Sequence, residues 1–372
     1  MATRSAEMLR AAHAHPGLTR AAAARLLGLG TGAATEIVAR LAQAELLAEI
    51  AAPRSGARGR PTTVLVPHPE GPLVLAAAVT HETWQVDVVE LGGNVLAGAD
   101  GRHDGADWPT VAATLTAAIG AFRDRYADRP RALGLAVPGT VSPHHRLDAA
   151  GLAWRDVDLH ELWPDAPVFV AGNDATLAAS AESHRGAAAG ASVALHLRIE
   201  AGLGGAVVDH GNALIGATGA AGEFGHMPFG DPAIACPCGA RGCWGTAVDG
   251  TALARLLGRP APHDHVAYAR RLIGATAPEP AERAAVRSVA GALGRGIAGL
   301  VNGIDPDLVT LGGLGVDLLA AARDDVDAAY QAGLMAYRRD KPPPILAAAL
   351  GDDGPIAGAG EEAWSALLVT LA

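Results

Sequence analysis

Apolar positions in the first fifty residues recur at helical spacing, in three short bursts. Met8, Leu9 and Ala12 form one stripe, and Pro16-Gly17 stops it. Thr19 can cap a second helix, with Ala22, Ala23, Leu26 and Leu27 on one face before Gly28. After the tight Gly28-Leu29-Gly30 turn, a third helix carries Ile37, Val38, Leu41, Leu46 and Leu47 inward. Two helices joined by a short glycine-containing turn form a helix-turn-helix pattern. Beyond Glu49 the periodicity breaks into Pro53-Arg54-Ser55-Gly56-Ala57-Arg58-Gly59-Arg60-Pro61, and an extended Thr62–Val66 follows. That stretch predicts a β-wing bearing three arginines; the alternative is a small helical bundle with an arginine-rich linker. Much later, Val168–Ala171 reads as a buried strand that ends in a polar Asn173-Asp174 turn and runs into an alanine-rich helix.

Composition narrows the class. The 372 residues suggest two or three domains, and half of them are apolar against 18% charged, so a large core is available. Aromatics supply only 4%, so Ala, Val and Leu must fill it. Apolar runs such as Val74–Val79 and Ile345–Leu350 fall far short of the roughly 18 residues that cross a bilayer. No basic head with an apolar stretch opens the chain, and three cysteines cannot complete a disulfide framework, so the expectation is a cytoplasmic protein with no membrane partner. Charge divides unevenly: residues 1–67 carry eight arginines and four glutamates, against −10 for the whole chain. A basic head on an acidic body suits an appended nucleic-acid-binding unit. On the third helix the exposed Thr31, Thr35 and Arg40 are the candidate DNA contacts, joined by Arg54, Arg58 and Arg60 of the wing, where arginine suits phosphates and a narrow minor groove. None of the three helix positions reads a base edge with Asn, Gln or Arg near the helix start, so the wing is expected to supply much of the affinity.

All three cysteines fall in His226-x9-Cys236-x-Cys238-x4-Cys243. Three thiolates and an imidazole complete a tetrahedron with no open position, as in a structural Zn2+ site; three buried free thiols are the bland alternative. Asn173 and Asp174 stand at a strand's carboxyl end, where open α/β sheets bind ligands, although an Asn-Asp helix cap has the same appearance. Gly222-Glu223-Phe224-Gly225-His226 adds a second carboxylate, and Ala136-Val137-Pro138-Gly139-Thr140 another strand-to-turn junction.

With those residues in view, the chain resembles the ROK family (repressor, open reading frame, kinase) of sugar-responsive repressors and sugar kinases. Further points of likeness are Gly59-Arg60-Pro61, Leu152-Ala153-Trp154, Cys236-x-Cys238-Gly239-x-x-Gly242-Cys243, Val301-Asn302-Gly303-Ile304-Asp305-Pro306 and Leu311-Gly312-Gly313. The resemblance implies an α/β chain with a winged helix-turn-helix over residues 1–67. Residues 72–372 would form a two-lobed actin-like, hexokinase-like (ribonuclease H-like) ATPase-fold body, with a zinc loop at 226–243. It also implies a homodimer or homotetramer, with a sugar or sugar phosphate held between the lobes by Asn173, Asp174, Glu223 and His226. His226 would serve the metal and a sugar hydroxyl through different ring nitrogens.

The departures bear on catalysis. The family's kinases end the first body strand in Asp-x-Gly-Gly-Thr, where this chain has Val79-Thr80-His81-Glu82-Thr83, so Cβ atoms stand in the way of a phosphate. A second turn survives as Glu200-Ala201-Gly202-Leu203-Gly204-Gly205, with a negative charge where a phosphate would sit. The family commonly has Glu two residues after the last cysteine; here Trp244-Gly245 follows, and Trp244 is either core or a stacking platform. Gly151 stands where the family often has Asn. The expectation is a repressor, not an enzyme, that binds a double-stranded DNA operator and is released by its effector. The alternatives are a regulator with a degenerate pocket answering to a partner protein or to zinc, and a sugar kinase with a DNA-binding head.

Overall fold

The computed structural model describes residues 3–52 and 63–371. In chain order it opens with α1 (Arg4–Ala14), α2 (Arg20–Leu26), α3 (Thr31–Gln43), β1 (Leu47–Ala51) and β2 (Thr63–Pro67). A first α/β stretch follows with β3 (Leu73–Val79), β4 (Thr83–Val89), β5 (Val95–Arg102), α4 (Trp108–Tyr126) and β6 (Pro130–Val137). Three short strands, β7 (Thr140–Val141), β8 (Arg146–Ala149) and β9 (Trp154–Asp158), lead to β10 (Phe169–Asn173) and α5 (Asp174–Arg185). Then come β11 (Val193–Ile199), β12 (Leu203–Asp209), β13 (Asn212–Ala213), α6 (Gly250–Leu256), α7 (His265–Ile273) and α8 (Pro280–Ile304). The last elements are β14 (Leu308–Gly313), α9 (Leu314–Gly333), β15 (Ile345–Ala347) and α10 (Gly354–Thr370).

The chain divides into two compact units. The first comprises residues 1–137, 158–171 and 359–372. Its amino-terminal part is a winged helix-turn-helix. Thr3 and Thr19 cap α1 and α2 by accepting the Ala6 and Ala22 N–H groups at 3.2 and 3.0 Å. Helix α3 buries Ala34, Ile37, Val38 and Leu41 against them. The expected inner face of the third helix is too long: Glu45 adopts a left-handed φ of 57°, the chain reverses, and Leu47 is buried as the first residue of β1. Strand β1 pairs antiparallel with β2, which also returns to Leu18 through a Leu65 N–H···O bond of 2.8 Å. On α2, Leu26 is 57% exposed and Ala23 and Ala24 fill the contact instead, so its apolar stripe is also corrected.

The first unit's sheet runs β10-β6-β3-β4-β5, with β3, β4 and β5 antiparallel and β6 parallel to β3. Strand β3 is buried on both faces, as its unbroken apolar run requires. Strand β10 is half-buried where a buried strand was expected, because it lies at the sheet's edge. Gly134 of β6 lets the backbone of α10 touch the sheet; a Cβ there would lie 2.0 Å from Ala359 O.

The second unit comprises residues 138–157 and 172–358. Its sheet runs β13-β12-β11-β14-β15, with β11 antiparallel to β12 and parallel to β14. Leu195, Leu197 and Ile199 of β11, with Val309 and Leu311, face the helical core formed with α8 and α9. The alternate residues His196 and Arg198 are buried too. Helix α8 is the one helix among the described residues that is long and apolar enough to cross a membrane, and 67% of its apolar window is buried inside the protein.

Candidate functional site

The site grows from the start of α5. Asn173 caps that helix: its Oδ1 accepts the Ala175 and Thr176 N–H groups at 2.9 and 3.2 Å. Its amide Nδ2 donates to Gly139 O at 2.9 Å. Capping therefore employs Asn173 directly, and the same bonds fix where the side chain stands. Asp174 occupies the first helical position, where its charge meets the positive end of the helix dipole.

Gly139 has a φ of +105°, and a Cβ there would lie 2.4 Å from Asp148 O, so only glycine serves. This turn presents Thr140, whose hydroxyl donates to Glu223 Oε1 at 3.1 Å. The other Glu223 oxygen lies 3.6 Å from His226 Nε2. Gly222 and Gly225 bring this segment against β12: a Cβ on either would fall about 2 Å from the carbonyl of Gly205 or Leu203. Asn173, Thr140, Glu223 and His226 thus form one connected series, with Asp174 next to its first member. Thr140 was not among the residues expected at the site; a threonine directly after a Pro-Gly strand end was the available signal.

The His226 ring turns its other nitrogen, Nδ1, to Cys236 Sγ at 3.7 Å, and Cys238 Sγ lies 3.7 Å from Cys243 Sγ. All four ligand atoms lie within 4.8 Å of one another. Ligands on a tetrahedral zinc, about 2.3 Å away for sulfur and about 2.0 Å for nitrogen, stand roughly 3.6–3.8 Å apart, so the donor set fits a metal ion. The sulfurs are free thiols in the structure, well beyond disulfide distance. Local backbone builds the cradle: Cys236 N–H donates to Ala240 O at 2.8 Å, and Gly239 and Gly242 take φ values of +95° and +70°. Burial pushes the Cys243 thiol up to about 12, whereas a backbone hydrogen bond from Ala240 draws Cys238 below the ordinary thiol range. Metal coordination reverses the first of these, since a bound cation deprotonates its thiols.

Trp244 is core. It is fully buried, donates its indole N–H to Ala292 O at 3.1 Å, and sits where a Cβ on Gly296 of α8 would fall 2.1 Å from its ring. Beside it, a Cβ on Gly245 would meet its nearest neighbours at 3.4–3.8 Å, an ordinary contact.

Both turns that correspond to phosphate loops carry side-chain interactions of their own. In the first unit, Thr80 Oγ1 accepts the N–H groups of Glu82 and Thr83 at 3.2 and 3.0 Å, and Thr80 N–H donates to Thr83 O at 2.8 Å. These three amides are thereby committed within the turn. In the second unit, Arg198 donates to Glu200 Oε1 at 2.7 Å and to Gly351 O at 3.2 Å. Burial raises the Glu200 carboxyl above its ordinary range; Arg198 opposes this, and Asp174 and Asp352 reinforce it. Arg198 was not anticipated from the sequence.

On the head, Thr31, Thr35 and Arg40 are exposed along α3. Thr35 donates its hydroxyl to Thr31 O at 2.9 Å, and Arg40 reaches Ser5 Oγ at 3.3 Å. Arg54, Arg58 and Arg60 lie outside the described residues.

A winged helix-turn-helix and two α/β sheets of this topology define a hexokinase-like fold with an amino-terminal helical module. The ROK family model matches residues 101–364, and the chain belongs to the ROK family. It is 31% identical over 200 residues to a glucokinase of Halalkalibacterium halodurans, covering 49% of this chain and 60% of that protein. It is 32% identical over 116 residues to the xylose repressor of Bacillus spizizenii, covering 30% of each. The chain thus spans less than two thirds of the length of either curated relative. Among solved structures, the ROK family transcriptional regulator described as a homolog of the E. coli MLC protein superposes with a TM-score of 0.75 at 21% identity, over 98% of this chain and 97% of that one. Relatives therefore include both repressors and sugar kinases.

Proposed function

We propose that the protein is a DNA-binding transcriptional regulator, a repressor of genes for sugar metabolism or transport, and that it transfers no phosphate. The observation that carries this reading is the filled state of the two turns. A kinase needs backbone amides and a metal-binding carboxylate open to the triphosphate. Here Thr80 takes the amides of one turn, and the other holds Glu200 on Arg198 among further carboxylates.

In this reading a sugar or sugar phosphate is taken by Asn173, Asp174, Glu223 and His226. Thr140 holds the Glu223 carboxylate in one orientation, and the Gly139 bond does the same for Asn173. His226, Cys236, Cys238 and Cys243 hold a structural Zn2+ through Nδ1 and three sulfurs, leaving Nε2 beside Glu223. Bound there, zinc supplies coordinate bonds that tie the loop together; it has no open position for catalysis. Thr31, Thr35 and Arg40, with Arg54, Arg58 and Arg60, contact a double-stranded operator. The chain works in the cytoplasm as a homodimer or homotetramer, one head per half-site. Effector and operator favour different conformations, and the shift is set by the ratio of effector affinities for the two.

The test is calorimetric titration of the full-length protein with hexoses, pentoses and their phosphates, together with fluorescence anisotropy on DNA from its own upstream region. One sugar should bind and should release the DNA, and incubation with ATP should give no phosphotransfer. Clear phosphorylation of any sugar would overturn the reading. Gly245, which brings no carboxylate to the pocket, favours a second reading: a regulator whose pocket is degenerate and which answers to a partner protein or to zinc. Absence of heat from every sugar, with DNA binding intact, would select it.

A further inference from the structure

We infer that α10 is a relay that couples the Asn173–His226 cluster to the DNA-binding head, clamped at one end by Glu182 and latched at the other by a buried His13–Glu361 pair. Its regulatory meaning rests on the effector reading above; the mechanical coupling does not.

The relay starts on α5, which Asn173 caps and Asp174 begins. Further along the same helix, the buried Glu182 carboxylate grips the segment leading into α10. It accepts the N–H groups of Ala349 and Leu350 at 3.1 and 2.8 Å, together with that of Ala187 at 2.7 Å. Helix α10 then lies directly on α5: a Cβ on Gly358 would fall 1.9 Å from Leu177 O, and one on Gly354 would fall 3.2 Å from Ala178 Cβ. Contact this close leaves little room for α5 and the first turn of α10 to move independently.

Residues up to Gly358 belong to the second unit, and from Ala359 the same helix belongs to the first. Three residues past that boundary, Glu361 Oε2 meets His13 Nε2 of α1 at 3.0 Å, across 348 residues of sequence. Both side chains are almost wholly buried. Gly92 N–H donates to His13 Nδ1 at 3.0 Å, so Nδ1 is the acceptor and Nε2 carries the proton given to the carboxylate. The Trp364 ring stands 5.6 Å from the imidazole.

A buried pair of this kind is a poor way to add stability, because apolar residues of similar volume usually do as well or better. It is directional, however: a hydrogen bond weakens steeply with misalignment, whereas apolar side chains slide. That difference separates a relay from simple adhesion between head and body.

Hydrogen exchange followed by mass spectrometry on the full-length protein tests this without effector or operator. Asn173→Ala removes the α5 cap and should speed exchange in α5, in residues 349–358 and, several-fold, in α1. Adding His13→Leu with Glu361→Met should leave the melting temperature at or above the parent's and preserve the response of α5 and 349–358, while α1 stops responding. Glu182→Gln should cut the relay from its other end and likewise silence α1. An α1 that ignores Asn173→Ala, or follows it equally with the latch replaced, overturns the relay. Failure of the sugar titration would instead overturn the effector reading and leave this result standing.

Discussion

Glu200→Ala is the sharpest test of how the second turn is built. The parent side chain gives Arg198 its charged acceptor at 2.7 Å, in a place where the Arg198 side chain is only 5% exposed. After truncation the guanidinium keeps Gly351 O at 3.2 Å, while its Nε already has no hydrogen-bond partner. Breaking one side of a buried pair costs about 3–5 kcal/mol. The remaining carbonyl places this case at about 3 kcal/mol, a fall in melting temperature of roughly 6–12 °C for a unit of this size. Arg198→Met combined with Glu200→Ala should recover most of the loss, since no charge is left stranded.

The pH dependence has a definite sign. Burial raises the folded-state pKa of Glu200 above 4.5, so the folded protein releases this proton later than the unfolded chain does. Its contribution is fully present below pH 4.5 and is lost as pH rises through the folded value. Glu200→Ala should remove that decline from a plot of stability against pH. Thermal melts between pH 4 and 8 measure both effects. A variant as stable as the parent at pH 7, with the same slope, would refute the claim that Arg198 depends on this carboxylate.

Cys238→Ser should lower bound zinc below one per chain by elemental analysis and depress the melting temperature, because the loop loses one of four anchors. Arg58→Ala with Arg60→Ala should weaken binding to every duplex tested and reduce the salt slope of log K by about 2, measured by anisotropy across salt concentrations. Gly245→Glu has ordinary contact distances at its Cβ, so it should fold. A carboxylate added there is worth about 1.5–3 kcal/mol to a buried hydroxyl, roughly 10- to 100-fold in sugar affinity by calorimetry.

What could be read from the sequence was whatever depended on near neighbours. Ile37, Val38 and Leu41 share a helical face because they lie three and four residues apart, and α3 buries all three. Leu46 and Leu47 continued the apolar pattern and were assigned to the same helix; the burial of Leu47 followed, but the element did not, because the left-handed Glu45 has no sequence mark as strong as glycine. The histidine and cysteines lie within eighteen residues, so their spacing was enough to suggest one cluster, and the four ligand atoms do gather. Trp244 beside that cluster was open between two roles, and the choice was made by Gly296 on the distant helix α8, whose missing side chain leaves room for the indole.

Contacts between distant segments left no such trace. In the sequence Arg198 is simply one of two polar residues, with His196, in an otherwise apolar strand, and its role appears only when the β11–β12 turn brings Glu200 back beside it and Gly351 arrives from beyond β15. His13 is the extreme case: on α1 it looks like a surface residue near a helix end, and Glu361 looks like one of two solvated glutamates on α10. Each gains its meaning from the other, and from a glycine amide on a third segment. Local pattern reports which residues want to be buried, because burial of apolar area is non-directional and additive. It does not report which buried polar groups satisfy each other, because that depends on geometry fixed only after the sheets and helices have assembled. A coupling device made of such bonds is therefore legible in structure before it is legible in sequence, and a double substitution that keeps the burial while removing the bond is the perturbation that isolates it.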